Sequence, residues 1–298
     1  MNMPMTVALA TNSEYPELIA GETLLLKAFL AAGYNAEPAV WDDPSVDWDA
    51  FDFVVLRSCW GYHEKVGEFN AWLGMLAKRT ITLLNPQDIV RWNMHKGYLF
   101  ELQQAGLPIP QATLVRQGDT RSLQEILTEF TGDEFVAKPC YGASAFGIMK
   151  IAKRHADWEK ANAAFAKLLA HSDVLVQAFV PEVANGEISA VFFNGEFSHA
   201  VIKKPKAGEF RSQVEFGGIE SRIQLDEKTL ASVHKLYAAC NKKTLYARLD
   251  FVVTANGPLL MELELIEPYL FFEFDEGAAD RFVHAFESFA NVTAKENR

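Results

Sequence analysis

The sequence predicts a mixed α/β (α+β) fold with a parallel sheet near the N-terminus and antiparallel sheets farther along the chain. Over residues 1–86, short apolar runs alternate with segments of helical periodicity, which is typical of parallel strands joined by crossover helices. In the C-terminal half, long alternating stretches surround Asn194-Gly195 and Asn256-Gly257. Asn-Gly between such stretches is a strong signal for a β-hairpin.

The N-terminal segment contains the predicted parallel sheet. Its apolar runs and glycine stops predict strand 5–11, helix 20–33, strand 34–42, strand 51–59, helix 65–79 and strand 80–86. Ligands of such sheets bind beyond the carboxyl ends of the strands. The stretch RSCWGYH, residues 57–63, is therefore expected at a ligand-binding edge.

The rest of the chain predicts a second and a third group of elements. A helix from residue 95 should end at Gly106, and a strand bracketed by prolines should follow it up to residue 111. The later elements predicted are strand–loop–strand 134–151, helix 158–172, strand 173–180, hairpin 186–204, helix 226–243, hairpin 245–268 and a helical tail 276–291. A chain of 298 residues is long enough for two or three domains.

Composition excludes several classes of function. The net charge of −11 argues against nucleic-acid binding, which needs clustered Lys and Arg. The three cysteines, Cys59, Cys140 and Cys240, are widely spaced and fit reduced packing residues better than a disulfide framework. The sequence shows no basic leader and no apolar run of about 20 residues. These features predict a cytoplasmic protein that is not attached to a membrane.

Carboxylates are concentrated in the second hairpin. In MELELIEP, Glu262 and Glu264 should share one face of a strand, with Glu267 on the opposite face and outside the site. The turn should bring Asp250 of the preceding strand close to Glu262. Three converging carboxylates indicate a hard divalent cation such as Mg²⁺. The alternative is a solvated sheet face on which Lys or Arg pairs with each carboxylate.

A candidate phosphate-binding loop lies in AKPCYGASAFG, residues 137–147. Lys138 ends the strand, and small residues that let backbone N–H groups approach phosphate oxygens follow: Gly142, Ala143, Ser144 and Gly147. The loop lacks the GK[ST] ending of a Walker A motif. An ordinary hairpin turn is the alternative interpretation.

Six short motifs precede MELELIEP in a characteristic order: NMHKGYLF, FVAKP, VQAFVP, NGEIS, FRSQVEFGG and YARLDF. Their order resembles the ATP-grasp ligase superfamily, which includes glutathione synthetase and D-alanine:D-alanine ligase. The resemblance implies the ATP-grasp fold in three parts. These are a Rossmann-like substrate-binding domain (1–94), a small central lid domain (95–180) and a C-terminal metal and catalytic domain with an antiparallel sheet (181–298).

The resemblance also implies residue roles. For ATP they are Lys96 and Lys138 on the phosphates, the loop residues Gly142, Ala143, Ser144 and Gly147, the adenine-binding Gln177, Phe179 and Val180, and the ribose-binding Glu187. For catalysis it implies Arg211 and Arg248 beside the transferred phosphoryl group. For Mg²⁺, or Mn²⁺ in its place, it implies Asp250, Glu262 and Glu264.

One branch of the superfamily is similar over a longer stretch. WDDPSVDWDAFDFVVLRSCWGYHEK, NPQDIVRWNMHKGYL and LLMELELIEPYLFF resemble the cyclo-ligase of D-cycloserine biosynthesis, which closes O-ureido-D-serine, and its bacterial homologues. The superfamily usually has Glu-x-Asn where this chain has Glu262-Leu263-Glu264. Membership of the cyclo-ligase branch would explain this difference. The resemblance implies an amino-acid-like small-molecule substrate held by Arg57, Ser58, Trp60 and Tyr62. Alternatively, Trp60 and Tyr62 only pack the domain interface.

Two other functions stay open at this stage. An intermolecular ligase that joins an amino acid to a peptide or protein would share every ATP-binding residue. A nucleotide-binding module without ligase activity is the second alternative, and the complete set of lysines and carboxylates argues against it. Many members of the superfamily are dimers, so the resemblance allows a homodimer.

Overall fold

The structure is a computed structural model that describes residues 4–142, 147–212 and 214–296, with side chains up to residue 290. Its strands form three sheets along the chain. No helix in these ranges is long and apolar enough to span a membrane.

The first sheet is parallel, in the order β2-β1-β3-β4. Its strands are β1 (Thr6–Thr11), β2 (Asn35–Val40), β3 (Phe53–Ser58) and β4 (Thr82–Leu84). Helices α1 (Glu22–Ala31) and α2 (Val66–Leu76) connect them. The predicted crossover pattern is therefore confirmed. On one face of this sheet, Phe69 and Trp72 of α2 pack against Trp41.

The second sheet is antiparallel, in the order β5-β8-β6-β7. It contains β5 (Ala112–Val115), β6 (Glu134–Pro139), β7 (Met149–Ala152) and β8 (Val174–Ala178). Helices α5 (Leu123–Leu127) and α6 (Trp158–His171) pack on it through buried residues such as Phe165 and Leu169. A capping box formed by Ser122 and Glu125 starts α5, which sequence analysis did not predict.

The third sheet is also antiparallel, in the order β11-β10-β9-β12-β13. Its strands are β9 (Glu187–Phe193), β10 (Glu196–Lys204), β11 (Ile219–Ile223), β12 (Tyr246–Thr254) and β13 (Gly257–Glu264), with helices α7 (Glu227–Cys240) and α8 (Ala278–Glu296). Helix α8 joins this sheet to the first, because Phe286 contacts both Phe29 and Phe53, and Phe282 contacts Phe193.

Two local predictions are corrected, and one helix was not predicted. The prolines at 108 and 110 are followed by β5, which starts only at Ala112, since proline lacks the N–H that a strand ladder needs. A helix that was not predicted, α3 (Gln87–Met94), precedes the predicted helix, which is confirmed as α4 (Tyr98–Gln104). The second hairpin turns at Ala255-Asn256, and Gly257, at φ +105°, pairs with Thr254 as the first residue of β13.

The outer edge of β13 is covered by side chains from the segment around α3 and α4. Asn93 donates to the Leu263 carbonyl (2.9 Å) and accepts from the Leu265 N–H (2.8 Å). The Tyr98 hydroxyl accepts from the Leu263 N–H at 3.0 Å. An edge strand leaves such groups unpaired, so these side chains fix the strand that carries Glu262 and Glu264.

Candidate active site

The hairpin of β12 and β13 brings the predicted carboxylates together. Asp250 lies opposite Glu262 in the register, and Arg248 lies opposite Glu264. All four side chains line one cleft. Residues at alternate positions share a strand face, which is why Asp250 and Arg248, two positions apart, project the same way.

Asp250 is held by three neighbours. Arg248 donates to both of its oxygens, from Nε at 2.9 Å and from Nη2 at 2.8 Å. The Ser189 hydroxyl donates at 2.6 Å, and Lys203 Nζ lies at 3.3 Å. Although burial opposes ionisation, Arg248 and Lys203 hold the pKa of Asp250 well below its usual range. Asp250 is therefore a fixed anion.

The two glutamates of β13 differ in their charge environment. Lys96 forms an ion pair with Glu262 and, against the effect of burial, lowers the pKa of Glu262. Burial raises the pKa of Glu264 to about 7, and Arg248, which bonds to it, offsets this effect only in part. The neighbouring anions Asp250 and Glu262 act in the same direction as burial. Of the three carboxyl groups, Glu264 is therefore the one that binds a proton most readily.

This arrangement decides whether the three carboxylates are suitable ligands for a metal ion. Within the described ranges, no three Asp, Glu, His or Cys side chains stand ready to hold a metal ion. The carboxylates are instead bonded to cations, as Arg248 bridges Asp250 and Glu264 while Lys96 holds Glu262. Carboxylate oxygens are the ligands that Mg²⁺ prefers. The donor set fits such an ion, and Asp250, Glu262 and Glu264 as its ligands stay a prediction.

The two predicted lysines lie on the same side of the cleft as Glu262. Lys96 comes just after α3, and its backbone N–H bonds to the Cys140 carbonyl (2.9 Å), which links it to the end of the strand that carries Lys138. Burial lowers the pKa of Lys138, although Glu262 opposes this shift. Within the described ranges, no carboxylate lies within 4.0 Å of its ammonium group. Lys138 thus lines the cleft without an ion pair to any residue that the structure describes.

The predicted phosphate loop is described only in part. Gly142 lines the cleft, whereas Ala143 and Ser144 lie outside the described residues. Gly147 has φ +67°, and a Cβ there would meet Leu168 and Pro139 at 3.1–3.3 Å. Gly147 is therefore required by its backbone conformation and close packing, and it is not among the cleft residues.

The predicted nucleotide hinge follows β8. Gln177, Phe179 and Val180 all line the cleft, as does Glu187 at the start of β9. The amide nitrogen of Gln177 is buried and has no hydrogen-bond partner among the described residues, so it can donate to a ligand. Glu187 is bonded to Lys203 at 2.6 Å.

Arg211 lines the mouth of the cleft in the segment between β10 and β11. Its guanidinium pairs with Glu209 at 2.8 Å and lies 3.6 Å from the ring centroid of Phe216. Arg248 on β12 and Arg211 in this connecting segment thus line one cavity of about 950 Å³.

The N-terminal sheet contributes an aromatic wall. Trp60 and Tyr62 line the cleft, and Tyr15 lies edge-on to Trp60 with ring centroids 5.8 Å apart. Tyr269 packs on the other side of Trp60 at 6.4 Å.

Arg57 and Ser58 do not reach this wall, which corrects their expected contact with substrate. Both side chains are completely buried in β3. Arg57 donates to the Pro268 carbonyl (2.6 Å), lies 3.4 Å from Glu22 and stacks on Tyr246 at 4.7 Å. Because side chains alternate along a strand that is covered on both faces, these two residues point into packed interior.

Sequence reasoning missed several residues of the cleft. Lys203 could have been found from the sequence pattern. It alternates with Val201 on the buried face of β10, and it lies opposite Glu187 in the register of β9 and β10. The sequence pattern placed Glu267 on the strand face opposite Glu262 and Glu264. However, β13 ends at Glu264, so the alternation of side chains between the two faces does not extend to Glu267. The chain then turns, and Glu267 lines the cleft.

Comparisons with known proteins agree with this geometry. Residues 7–85 match the family described as D-cycloserine synthetase DcsG, N-terminal domain, and residues 103–275 match the prokaryotic glutathione synthetase, ATP-grasp domain. The cycloserine biosynthesis protein DcsG of Streptomyces lavendulae is 31% identical over 275 residues, covering 88% of this chain and 91% of that protein.

Solved structures show the same relationship. The crystal structure of D-cycloserine synthetase DcsG superimposes with a TM-score of 0.85 at 30% identity, covering 95% of this chain and 99% of that one. A D-alanine–D-alanine ligase from Bacillus anthracis has a TM-score of 0.70 at 17% identity, covering 99% and 100% of the two chains, and shares the fold. The resemblance inferred from the ordered motifs is thus confirmed. The chain belongs to the ATP-grasp ligase family, whose members generally use ATP and Mg²⁺.

Proposed function

We propose that the protein activates the carboxylate of an amino-acid-like substrate as an acyl phosphate and then closes a ring within that molecule, as with O-ureido-D-serine. The observation that carries this proposal is the shared cleft, where Trp60 and Tyr62 face the cationic and acidic residues of β12 and β13. The likeness to cycloserine proteins covers both walls, because it extends over 88% of the chain. A likeness confined to the ATP-grasp part would support only ATP binding.

The proposed ATP site uses the residues of the second and third sheets. Lys96 and Lys138 would neutralise phosphate oxygens, since both are buried cations that line the cleft. The hinge at Gln177, Phe179 and Val180 would hold the adenine, and Glu187 the ribose hydroxyls. Asp250, Glu262 and Glu264 would hold Mg²⁺ or Mn²⁺, which would supply positive charge against the phosphate oxygens.

The proposed reaction has two steps. A substrate carboxylate oxygen attacks the γ-phosphorus of ATP, the bond to the β-phosphate oxygen breaks, and ADP leaves. A nitrogen of the same molecule then attacks the acyl carbon and releases its proton to solvent, and phosphate leaves with the electrons of the broken carbon–oxygen bond. Arg248 and Arg211 line the cleft and would stabilise the charge on the transferring phosphoryl group, which is the main barrier in such reactions.

We further propose that each sheet organises one domain: residues 1–94 for substrate, 95–180 as a lid and 181–298 for catalysis.

The three buried free thiols support a reducing, cytoplasmic setting. A homodimer stays a prediction, and light scattering at several protein concentrations would test it.

The function is tested by measuring ADP release with ATP and Mg²⁺ over O-ureido-D-serine, its L-isomer and common amino acids, each with and without a second amine. We expect turnover of the ureido compound without any added amine, and a cyclic product by mass spectrometry. A strict requirement for a second amine would instead establish an intermolecular ligase. ATP binding without ADP release for any carboxylate would establish a nucleotide-binding module.

A further inference from the structure

Glu267 lies just beyond β13, where the chain turns back toward the first sheet. Only 7% of the residue is exposed, yet it lines the cleft. Its main-chain carbonyl accepts a hydrogen bond from Trp60 Nε1 at 3.3 Å. The carboxylate is therefore placed at the junction between the aromatic wall and the catalytic hairpin.

Glu267 differs from the other buried acidic residues in its charge environment. Glu22 pairs with Arg57, Asp250 with Arg248, and Asp275 with two arginines. In the part of the chain that the structure describes, no Lys, Arg or His nitrogen lies within 4.0 Å of the Glu267 carboxylate. A buried carboxylate without an ion pair is costly, and Arg57 and Arg248 act on Glu267 only from beyond this distance, so a ligand cation would be its direct partner.

Two further observations support a cation at this position. Burial raises the pKa of Glu267 well above its ordinary value and the neighbouring Glu264 acts in the same direction, whereas Arg57, Arg248 and a hydrogen bond from Trp60 oppose the shift. The surrounding rings of Tyr15, Trp60 and Tyr269 stand edge to face, and aromatic rings attract cations as well as walling a pocket. The site thus offers one carboxyl group, which a bound cation would keep ionised, and several rings.

We propose that Glu267 binds the free ammonium group of the amino-acid substrate. The inference rests on the proposed function and adds a substrate class to it. Arg248 lies on the hairpin side of the same cleft and would face the reacting carboxylate, while Glu267 would face the ammonium group of the same zwitterion. A peptide or N-acylated amino acid has a neutral amide nitrogen at this position. The enzyme therefore selects free amino acids over the C-terminal carboxylates of peptides.

The test compares wild type with Glu267→Gln, which keeps the side-chain shape and removes the charge. The probes are the amino acid with the highest turnover in the screen above, its N-acetyl form and its counterpart with hydrogen in place of the amino group. Wild type should prefer the free amino acid. In Glu267→Gln, the KM for the amino acid should rise about 10- to 100-fold, the KM for ATP should stay unchanged, and the preference over the other probes should disappear.

Two controls separate binding from folding. Glu276→Gln, an exposed site outside the cleft, should behave like wild type. The Glu267→Gln variant should unfold at the same or a higher denaturant concentration, because it removes an unpaired buried charge. A variant that keeps the wild-type preference overturns the inference and leaves the proposed function intact. Wild type that turns over no amino acid overturns the proposed function itself.

Discussion

At the scale of single residues, the acidic side chains of the cleft differ in how firmly they are held. Asp250 is bonded to Arg248, Lys203 and Ser189, so its replacement would leave buried cations without a partner. Glu262 is half-buried and pairs with Lys96. Glu262 is therefore the better position at which to separate catalysis from folding.

Glu262→Gln should lower Mg²⁺-dependent ADP release by about 100-fold or more, because the amide is a weaker ligand for the metal ion and adds no negative charge. The free energy of unfolding should fall by less than in Asp250→Asn, because Lys96 keeps Glu264 as a neighbouring carboxylate. Initial rates over a Mg²⁺ titration measure the loss of ADP release, and urea denaturation measures the free energy of unfolding. Glu196→Gln, at the exposed start of β10, is the control. Retained wild-type ADP release in Glu262→Gln would remove Glu262 from the metal site.

Lys138→Ala should raise the Kd for ATP by about 10- to 100-fold, since a buried charge that contacts phosphate is lost. Lys138 has no ion pair within the described ranges, so its removal leaves no carboxylate unpaired. Isothermal titration with ATP and Mg²⁺ measures the effect. Lys167→Ala, in the middle of α6, is the control. Equal ATP affinity in both variants would exclude Lys138 from the ATP site.

At the scale of elements, β10 is tied to the segment that follows the catalytic hairpin. His199 of β10 is buried and bonds through Nε2 to the Leu270 carbonyl at 2.9 Å. Its ring also packs near Phe193 of β9. The strand thereby helps to fix residues 265–272, which connect β13 to the aromatic wall.

His199 makes this contact dependent on pH. Burial lowers its pKa from 6.5 to about 4, so between these values the unfolded chain binds a proton that the folded chain does not. The stabilisation is complete above pH 6.5 and should fall by about 3 kcal/mol as the pH drops to 4. Urea denaturation from pH 7.5 to 4.5 should show a shallower decline in His199→Gln than in wild type or the exposed control His171→Gln. Parallel curves for all three would contradict this assignment.

At the scale of the whole molecule, the first and third sheets are joined through buried polar contacts. Arg57 of β3 reaches the Pro268 carbonyl, and Asn85 bonds to the carbonyls of Tyr246 and Leu265. The Tyr246 hydroxyl donates to the Ile266 carbonyl at 2.8 Å. These contacts place the carboxyl end of β3 against the catalytic hairpin, and so they form the cleft between them.

Arg57→Ala should destabilise the protein by about 3–5 kcal/mol, because it leaves Glu22 as an uncompensated buried charge. Chemical denaturation measures the loss, and Arg79→Ala, a half-buried surface arginine, should cost about 1 kcal/mol or less. The double variant Glu22→Gln/Arg57→Met should recover part of the stability. Unchanged stability of Arg57→Ala with a raised substrate KM would restore Arg57 to the substrate site.

The strand and helix pattern was largely predictable, since periodicity and Asn-Gly or Gly signals reflect local preferences. Both Asn194 (φ +46°) and Gly195 (φ +91°) adopt the left-handed conformation that a tight hairpin turn requires. The strand predicted around Pro108 and Pro110 does not form. The reason is also local, because the two prolines lack the N–H groups that strand pairing needs. Glu267 was misplaced because strand alternation was extended past the end of β13.

The sequence by itself determined the family, the parallel and antiparallel halves, and the hairpin that brings Asp250 near Glu262, because short-range turn and periodicity signals specify them. The direct pairing of Asp250 with Glu262 depends on a register shift between Asp250 and Phe251, which the turn position does not predict. Only the tertiary structure decided which polar residues face ligand and which are buried between elements. Arg57 and Trp60 are three positions apart, yet one is enclosed by Glu22 and Pro268 and the other lines the cleft. That difference depends on how the first and third sheets pack together, and a local sequence pattern carries no information about this packing.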